Sequence, residues 1–173
     1  DILRDNLSEF NIKAFPSYES KILKGAVATH PDMSLFKYDE EILIASRESF
    51  EYYSEIFKAT KIKIINANED PFENYPGDVK FNALRVGEHL ICKKDACADE
   101  IMNRFDGGKT INSSQGYVKC SVIDIGSEYF VTDDKYLQKI INGLGHKSIL
   151  LEKGLVKIKD YDYGFIGGAS GYA

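Results

Sequence analysis

Short apolar runs recur along the chain, each at the same place after a glutamate. They follow Glu40, Glu88 and Glu128, and they cover residues 42–44, 90–92 and 130–132. Another strand-like run precedes each one, at residues 34–38, 80–86 and 120–125, with a short polar turn between the two. Two apolar runs joined by such a turn are typical of a β-hairpin. The pattern therefore predicts three hairpins.

A helical pattern follows each hairpin. In the third copy the apolar residues recur at i, i+3, i+4 and i+7, which places them on one face of a helix, and they are Leu137, Ile140, Ile141 and Leu144. The corresponding residues are Phe50, Tyr53 and Phe57 in the first copy and, more weakly, Ile101, Met102 and Phe105 in the second. A further strand is predicted after each helix, at residues 61–67, 109–113 and 147–152.

These elements predict an α/β domain, covering residues 1–173, built from repeated strand–strand–helix–strand (ββαβ) units. Three complete units cover approximately residues 30–68, 78–114 and 118–153. Residues 1–29 form a partial unit, with the tail of a helix at 1–10 and its closing strand at 11–15. Residues 154–173 form another, in which 164–171 begin a fourth unit. Because half a unit buries little apolar surface, we expect the natural protein to extend beyond this segment, including upstream of Asp1.

Composition narrows the functional classes. The net charge of −5 argues against a nucleic-acid partner, because phosphate binding needs a basic surface. No apolar run approaches the roughly 18 residues that a membrane span requires, so no membrane partner is expected. The cysteines Cys92, Cys97 and Cys120 form no C-x-x-C pair. They therefore favour a reducing cytoplasm over a disulfide framework and give no zinc signature, and no cofactor is predicted.

Polar residues cluster where each predicted unit begins. These stretches are His30-Pro31-Asp32, Tyr75-Pro76-Gly77-Asp78, Gln115-Gly116-Tyr117 with Lys119-Cys120, and Asp160-Tyr161-Asp162-Tyr163. Asp32 lies eight residues before Glu40, and Cys120 lies eight residues before Glu128. An acid and a thiol thus occupy equivalent positions two units apart. If the units surround a common axis, both side chains face one cavity.

These motifs resemble those of a known group of proteins. The ββαβ repeat, the H-x-D motif at residues 30–32 and a cysteine two units later resemble the pentein fold, the α/β propeller of the guanidino-group-modifying enzymes. The stretches HPDM, YPGD…N, QGYVKCS and YGFIGGASG look more closely like an uncharacterised bacterial family assigned to that fold. The likeness covers residues 30–171. It implies a hydrolase, an amidinotransferase-like enzyme or a binder that acts on a small guanidino compound.

The resemblance also implies roles for particular residues. Cys120 would be the nucleophile, because a thiolate is strongly nucleophilic. His30 would be the general acid and base, and Asp32 would clamp the guanidinium group, whose planar fork suits a carboxylate. Four further residues are predicted to contact the substrate: Asp78, Asn82, Arg85 and Lys119. If Arg85 is buried, it would need a carboxylate or a ligand anion as partner. The alternative interpretation is that Arg85 lies at the surface and extends its charged group into solvent.

Other interpretations stay open from the sequence. In the enzymes the nucleophile lies near the C-terminus, in or after a glycine-rich stretch, whereas residues 164–171 carry no cysteine here. Cys120 could instead be a small buried hydrophobe, as Cys92 and Cys97 are predicted to be, and His30 could cap a turn. The pentein architecture also occurs in the ribosome anti-association factor, which works through surface contacts. The alternative function is therefore a non-catalytic binding protein.

Overall fold

A computed structural model of the chain describes residues 2–105, 108–158 and 162–170. Its helices are α1 (Ile2–Glu9), α2 (Phe50–Phe57), α3 (Asp99–Met102) and α4 (Lys135–Gly143). Its strands are β1 (Leu35–Lys37), β2 (Ile42–Ala45), β3 (Lys63–Asn66), β4 (Leu84–Val86), β5 (His89–Cys92), β6 (Thr110–Asn112), β7 (Val122–Asp124), β8 (Tyr129–Thr132) and β9 (Lys147–Leu150). In this described part of the chain, none of the helices has the length and apolar character needed to traverse a bilayer.

The strands form three separate sheets with the same topology. In each sheet the first two strands pair antiparallel as a hairpin, and the third strand pairs parallel to the second after a helix. A parallel pair needs such a crossover, because its two strands run in the same direction. The mixed α/β architecture and the three ββαβ units predicted from the sequence are therefore present.

The hydrophobic core lies between neighbouring sheets. One cluster combines Phe36 and Ile44 of the first sheet with Leu90 of the second sheet and Ile101 of α3. A second cluster combines the other face of the second sheet, including Ile91, with residues of the third sheet and of α4. Helices α3 and α4 thus pack between their own sheet and the preceding one, so each sheet depends on its neighbour for burial.

A 3-10 turn precedes the first strand of each sheet, and a fourth turn follows the third sheet. The turns are Pro31–Met33, Gly77–Val79, Lys119–Ser121 and Gly167–Ala169. Their middle residues are Asp32, Asp78, Cys120 and Gly168. The polar residues at the start of the three complete units therefore lie in or beside tight turns, where the backbone holds them at the ends of the strands.

The structure corrects several predicted strands. Residues 80–83 and 120–121 precede the strands, which begin at Leu84 and Val122, because the chain makes a tight turn at each place. Residues 11–15 form no strand: Asn11 has a φ of 59°, and the segment pairs with none of the described strands. Residues 164–170 hold a 3-10 turn and no strand. Gly171, the last residue of the predicted fourth-unit segment, and Asp160-Tyr161 of the preceding polar stretch lie outside the described residues.

Candidate functional site

The structure brings Cys120 together with His30 and Asp32. Sγ of Cys120 lies 3.8 Å from Nδ1 and 3.9 Å from Nε2 of His30, and 3.9 Å from Oδ2 of Asp32. Nδ1 of His30 lies 3.8 Å from the same carboxylate oxygen. The two segments are 88 to 90 residues apart in the sequence. The three residues predicted as nucleophile, acid–base and guanidinium clamp therefore form one cluster between the first and third units.

Asn82 of the second unit holds the Cys120 turn in place. Its side-chain Nδ2 donates to Sγ of Cys120 at 2.8 Å. Its Oδ1 accepts from the backbone N–H groups of Lys119 at 2.8 Å and of Cys120 at 3.3 Å. Asn82 is only 1% exposed. Predicted as a substrate contact, Asn82 uses both its donor and its acceptor within the protein, so its role here is to position Cys120.

The surroundings of Cys120 favour the neutral thiol. The residue is 2% exposed, and burial together with the negative charge of Asp32 raises its pKa to about 12. The Asn82 hydrogen bond and the Lys119 charge oppose this shift. Because a thiolate is the reactive form, Cys120 needs a base or a nearby cation before it can attack. His30 is the base within reach, and a cationic ligand beside Asp32 would supply the charge.

The glycine-rich segment closes against this cluster. A Cβ atom on Gly168 would collide with Nε2 of His30, and one on Gly167 would collide with the carbonyl oxygens of Lys119 and Cys120. Only a residue without a side chain lets the backbone approach so closely. The glycine content of the segment indicates close backbone packing from the sequence, but it does not identify His30 and the Cys120 turn as the partners.

Asp78 is buried beside Tyr117. The hydroxyl group of Tyr117 donates to Oδ2 of Asp78, while Oδ1 is buried without a hydrogen-bond partner among the described residues. The Tyr117 ring stacks between Tyr75 and Phe165, with ring centroids 6.0 Å and 5.1 Å away. Burial raises the Tyr117 pKa most, followed by the hydrogen bond to Asp78, the charge of Asp78 and the charge of Cys120. Among the described residues no hydrogen bond or ion pair joins Asp78 directly to Cys120, His30 or Asp32, but its partner Tyr117 lies close enough to Cys120 for the charge of that residue to act on it. The role of Asp78 as a substrate contact stays a prediction.

Arg85 and Lys119 line a cavity that reaches the cluster. The cavity has a volume of 610 Å³, and its wall includes Asp32 as well as both cations. Nε of Arg85 donates to the carbonyl of Gly87 at 2.9 Å, and Nη1 donates to that of Tyr38 at 2.6 Å. The guanidinium also lies over the Tyr38 ring, 5.0 Å from its centroid. Arg85 is therefore half-buried and anchored by backbone carbonyls at the cavity wall.

The cluster also has the composition of a metal site, which the sequence did not reveal. One imidazole nitrogen, one carboxylate oxygen and one sulfur atom lie within 4.8 Å of one another, from His30, Asp32 and Cys120. The usual sequence signal for such ligands is a short spacing such as C-x-x-C. Here the third ligand comes from a distant unit, so only the folded chain shows the set.

The comparisons with known proteins identify a family. Residues 1–173 match the Family of unknown function (DUF6873). No curated protein and no solved structure matches the chain.

Proposed function

The chain belongs to the DUF6873 family of unknown function, and we propose that it acts on a small guanidino compound as a cysteine-dependent, pentein-like enzyme. The observation that supports this proposal is the approach of Cys120, His30 and Asp32 across two units, with Sγ 3.8 Å from an imidazole nitrogen and 3.9 Å from a carboxylate oxygen. This chemistry requires a nucleophile, a group that carries protons and an anion that binds the guanidinium group.

The proposed architecture is an α/β propeller of pentein type. Its support is the repetition of one ββαβ topology in three sheets, together with the contact between the turns of the first and third units. If the units surround an axis, the turns at the start of each unit meet at one end of it. The substrate would then enter the cavity along that axis and reach Sγ beside Asp32.

In the proposed reaction the Cys120 thiol gives its proton to His30 as Sγ bonds to the guanidinium carbon. His30 then protonates the leaving nitrogen, whose bond to carbon breaks and releases an amine or ammonia. Water adds to the carbon while His30 accepts a proton, the C–S bond breaks, and Cys120 regains its thiol. In a transferase an amine replaces the water. The bound guanidinium itself favours the thiolate, because a nearby positive charge lowers a thiol pKa.

A substrate panel tests the proposal directly. The protein is incubated with arginine, agmatine and methylated arginines, and ammonia, amines and ureido products are measured. We expect turnover of at least one compound, and we expect Cys120→Ser to abolish it because the nucleophile is lost. Cys92→Ser is the matched control, since Cys92 is also buried but lies in the core between the first two sheets. Turnover that survives in Cys120→Ser would exclude the proposed mechanism.

A non-catalytic binding protein is the second candidate, and the burial of Cys120 favours it. A thiol that is 2% exposed, with a pKa near 12, is poorly placed to react at neutral pH. In this case the cavity binds a guanidino compound without converting it. Binding measured by calorimetry with no product formed, and with no iodoacetamide labelling of Cys120 in the complex, would support this candidate. Labelling that the ligand accelerates would instead support the enzyme.

We also propose a reducing, cytoplasmic environment and a small-molecule partner. Three unpaired cysteines fit a reducing compartment, and the net charge of −5 does not fit binding to nucleic acid. Fractionation of the native host, followed by detection of the protein, tests the location.

A further inference from the structure

We propose that His30, Asp32 and Cys120 form a three-ligand site for Zn²⁺. The three donors are an imidazole nitrogen, a carboxylate oxygen and a sulfur, all within 4.8 Å of one another. Zinc accepts this mixture of ligands, whereas Mg²⁺ and Ca²⁺ prefer oxygen ligands alone. The inference does not rest on the proposed function, because it needs no guanidino substrate.

The geometry is close to that of a zinc centre. Zinc ligands lie about 2.0–2.3 Å from the metal, so tetrahedral donor atoms are roughly 3.3–3.6 Å apart. The three measured separations are 3.8 Å between Sγ and His30 Nδ1, 3.9 Å between Sγ and Asp32 Oδ2, and 3.8 Å between Nδ1 and Oδ2. Small side-chain rotations would close this difference. Three protein ligands leave the fourth tetrahedral position open for water or a ligand.

The surroundings support the ligands and give the ion a route to them. Asn82 donates to Sγ at 2.8 Å, which is a contact that also stabilises a metal-bound thiolate. The side chains of His30 and Asp32 are 22% and 20% exposed, and Asp32 lines the 610 Å³ cavity. The ion can therefore enter from the cavity and meet the buried sulfur last.

Charge also balances in the proposed complex. Zn²⁺ displaces the thiol proton of Cys120 to solvent, and the resulting thiolate and the Asp32 carboxylate together neutralise the ion. No electron is transferred in this step. Because zinc withdraws electron density from the sulfur and occupies a nitrogen of His30, a zinc-bound Cys120 is a weaker nucleophile and lacks the free base that the proposed reaction uses. The metal-loaded form is thus expected to react more slowly at Cys120 than the metal-free form.

Metal binding is measured on the full chain with two probes. Zn²⁺ is titrated in competition with a chromogenic chelator, and we expect one ion per chain. Co²⁺ is then used as a spectroscopic probe, and we expect a thiolate-to-cobalt charge-transfer band with the absorption of a tetrahedral site. Stoichiometric zinc without the charge-transfer band would place the ion elsewhere and overturn the proposal, as would the absence of binding.

Matched variants identify the ligands. We expect Cys120→Ser to abolish the charge-transfer band, and Asp32→Asn to weaken zinc binding by roughly tenfold or more. Cys97→Ser is the control, because Cys97 is buried outside the cluster. Asp32→Asn changes a partly exposed side chain, so it serves as the test if Cys120→Ser does not fold by circular dichroism. Equal affinity in Asp32→Asn and wild type would overturn the proposal.

The two proposals fail separately. Iodoacetamide labelling of Cys120 is compared with and without Zn²⁺, and we expect the ion to suppress it. A protein that binds zinc at Cys120 but converts no guanidino compound after chelator treatment supports the metal site and contradicts the enzyme. A protein that turns over a guanidino compound and shows no cobalt–thiolate band supports the enzyme and contradicts the metal site.

Discussion

At the scale of single residues, Asn82 connects the second unit to the third. Its side chain accepts from two backbone N–H groups of the Cys120 turn and donates to the sulfur. The distance along the chain, 37 residues to Lys119, hides these contacts from any local pattern. The sequence identifies Asn82 as part of a motif, but only the fold shows that its hydrogen-bond partners are Lys119 and Cys120.

Asn82→Ala is predicted to destabilise the protein. The change leaves two backbone donors and the thiol without their partner in a buried place, and a stranded buried donor costs about 1–3 kcal/mol. We expect the free energy of unfolding in urea to fall by at least this amount. Asn74→Ala is the control, because Asn74 is exposed. Equal stability of the two variants would contradict the positioning role of Asn82.

At the scale of elements, the turns decide where the polar residues lie. Sequence patterns predicted the hairpins correctly, because two short apolar runs on either side of a polar turn are compatible with few other structures. They placed Cys120 inside a strand, however, and the structure places it in the turn Lys119–Ser121. Apolar patterns do not distinguish the first residues of a strand from a preceding 3-10 turn, because both can be buried. The contact of the glycine-rich segment with His30 is likewise non-local.

Gly168→Ala tests that contact. The added methyl group would collide with the His30 ring, so either the ring or the glycine-rich segment has to move. Overpacking of this kind lowers the free energy of unfolding by about 1–3 kcal/mol. We expect a lower melting temperature. Gly143→Ala is the matched control, because nothing lies within 4 Å of a Cβ atom there and Gly143 lies in α4. That change should be neutral or raise stability by about 0.5–1 kcal/mol. Similar melting temperatures for both variants would contradict the close packing.

At the scale of the whole molecule, each sheet has a central row of apolar residues across its three strands. The strand registers define the rows as Phe36–Ile44–Ile65, Leu84–Ile91–Ile111 and Ile123–Val131–Ile149. The next unit buries the first two residues of the first two rows, and Ile44 and Ile91 are 0% exposed. In the third row Ile149 is 55% exposed. The repeat was readable from the sequence, but which copy of an equivalent position is buried depends on the neighbouring unit.

Truncation of a buried and of an exposed isoleucine in these rows should therefore have unequal effects. Ile91→Ala leaves a cavity between the second and third units, and we expect the free energy of unfolding to fall by about 2–5 kcal/mol. Ile149→Ala removes a side chain that is largely in contact with solvent, so its cost should be below about 1 kcal/mol. Urea unfolding of the two variants and wild type measures both losses of unfolding free energy. The two losses can be compared directly because both substitutions are Ile→Ala. A large loss in Ile149→Ala would mean that the third row is covered in solution, because exposed methyl groups contribute little to stability.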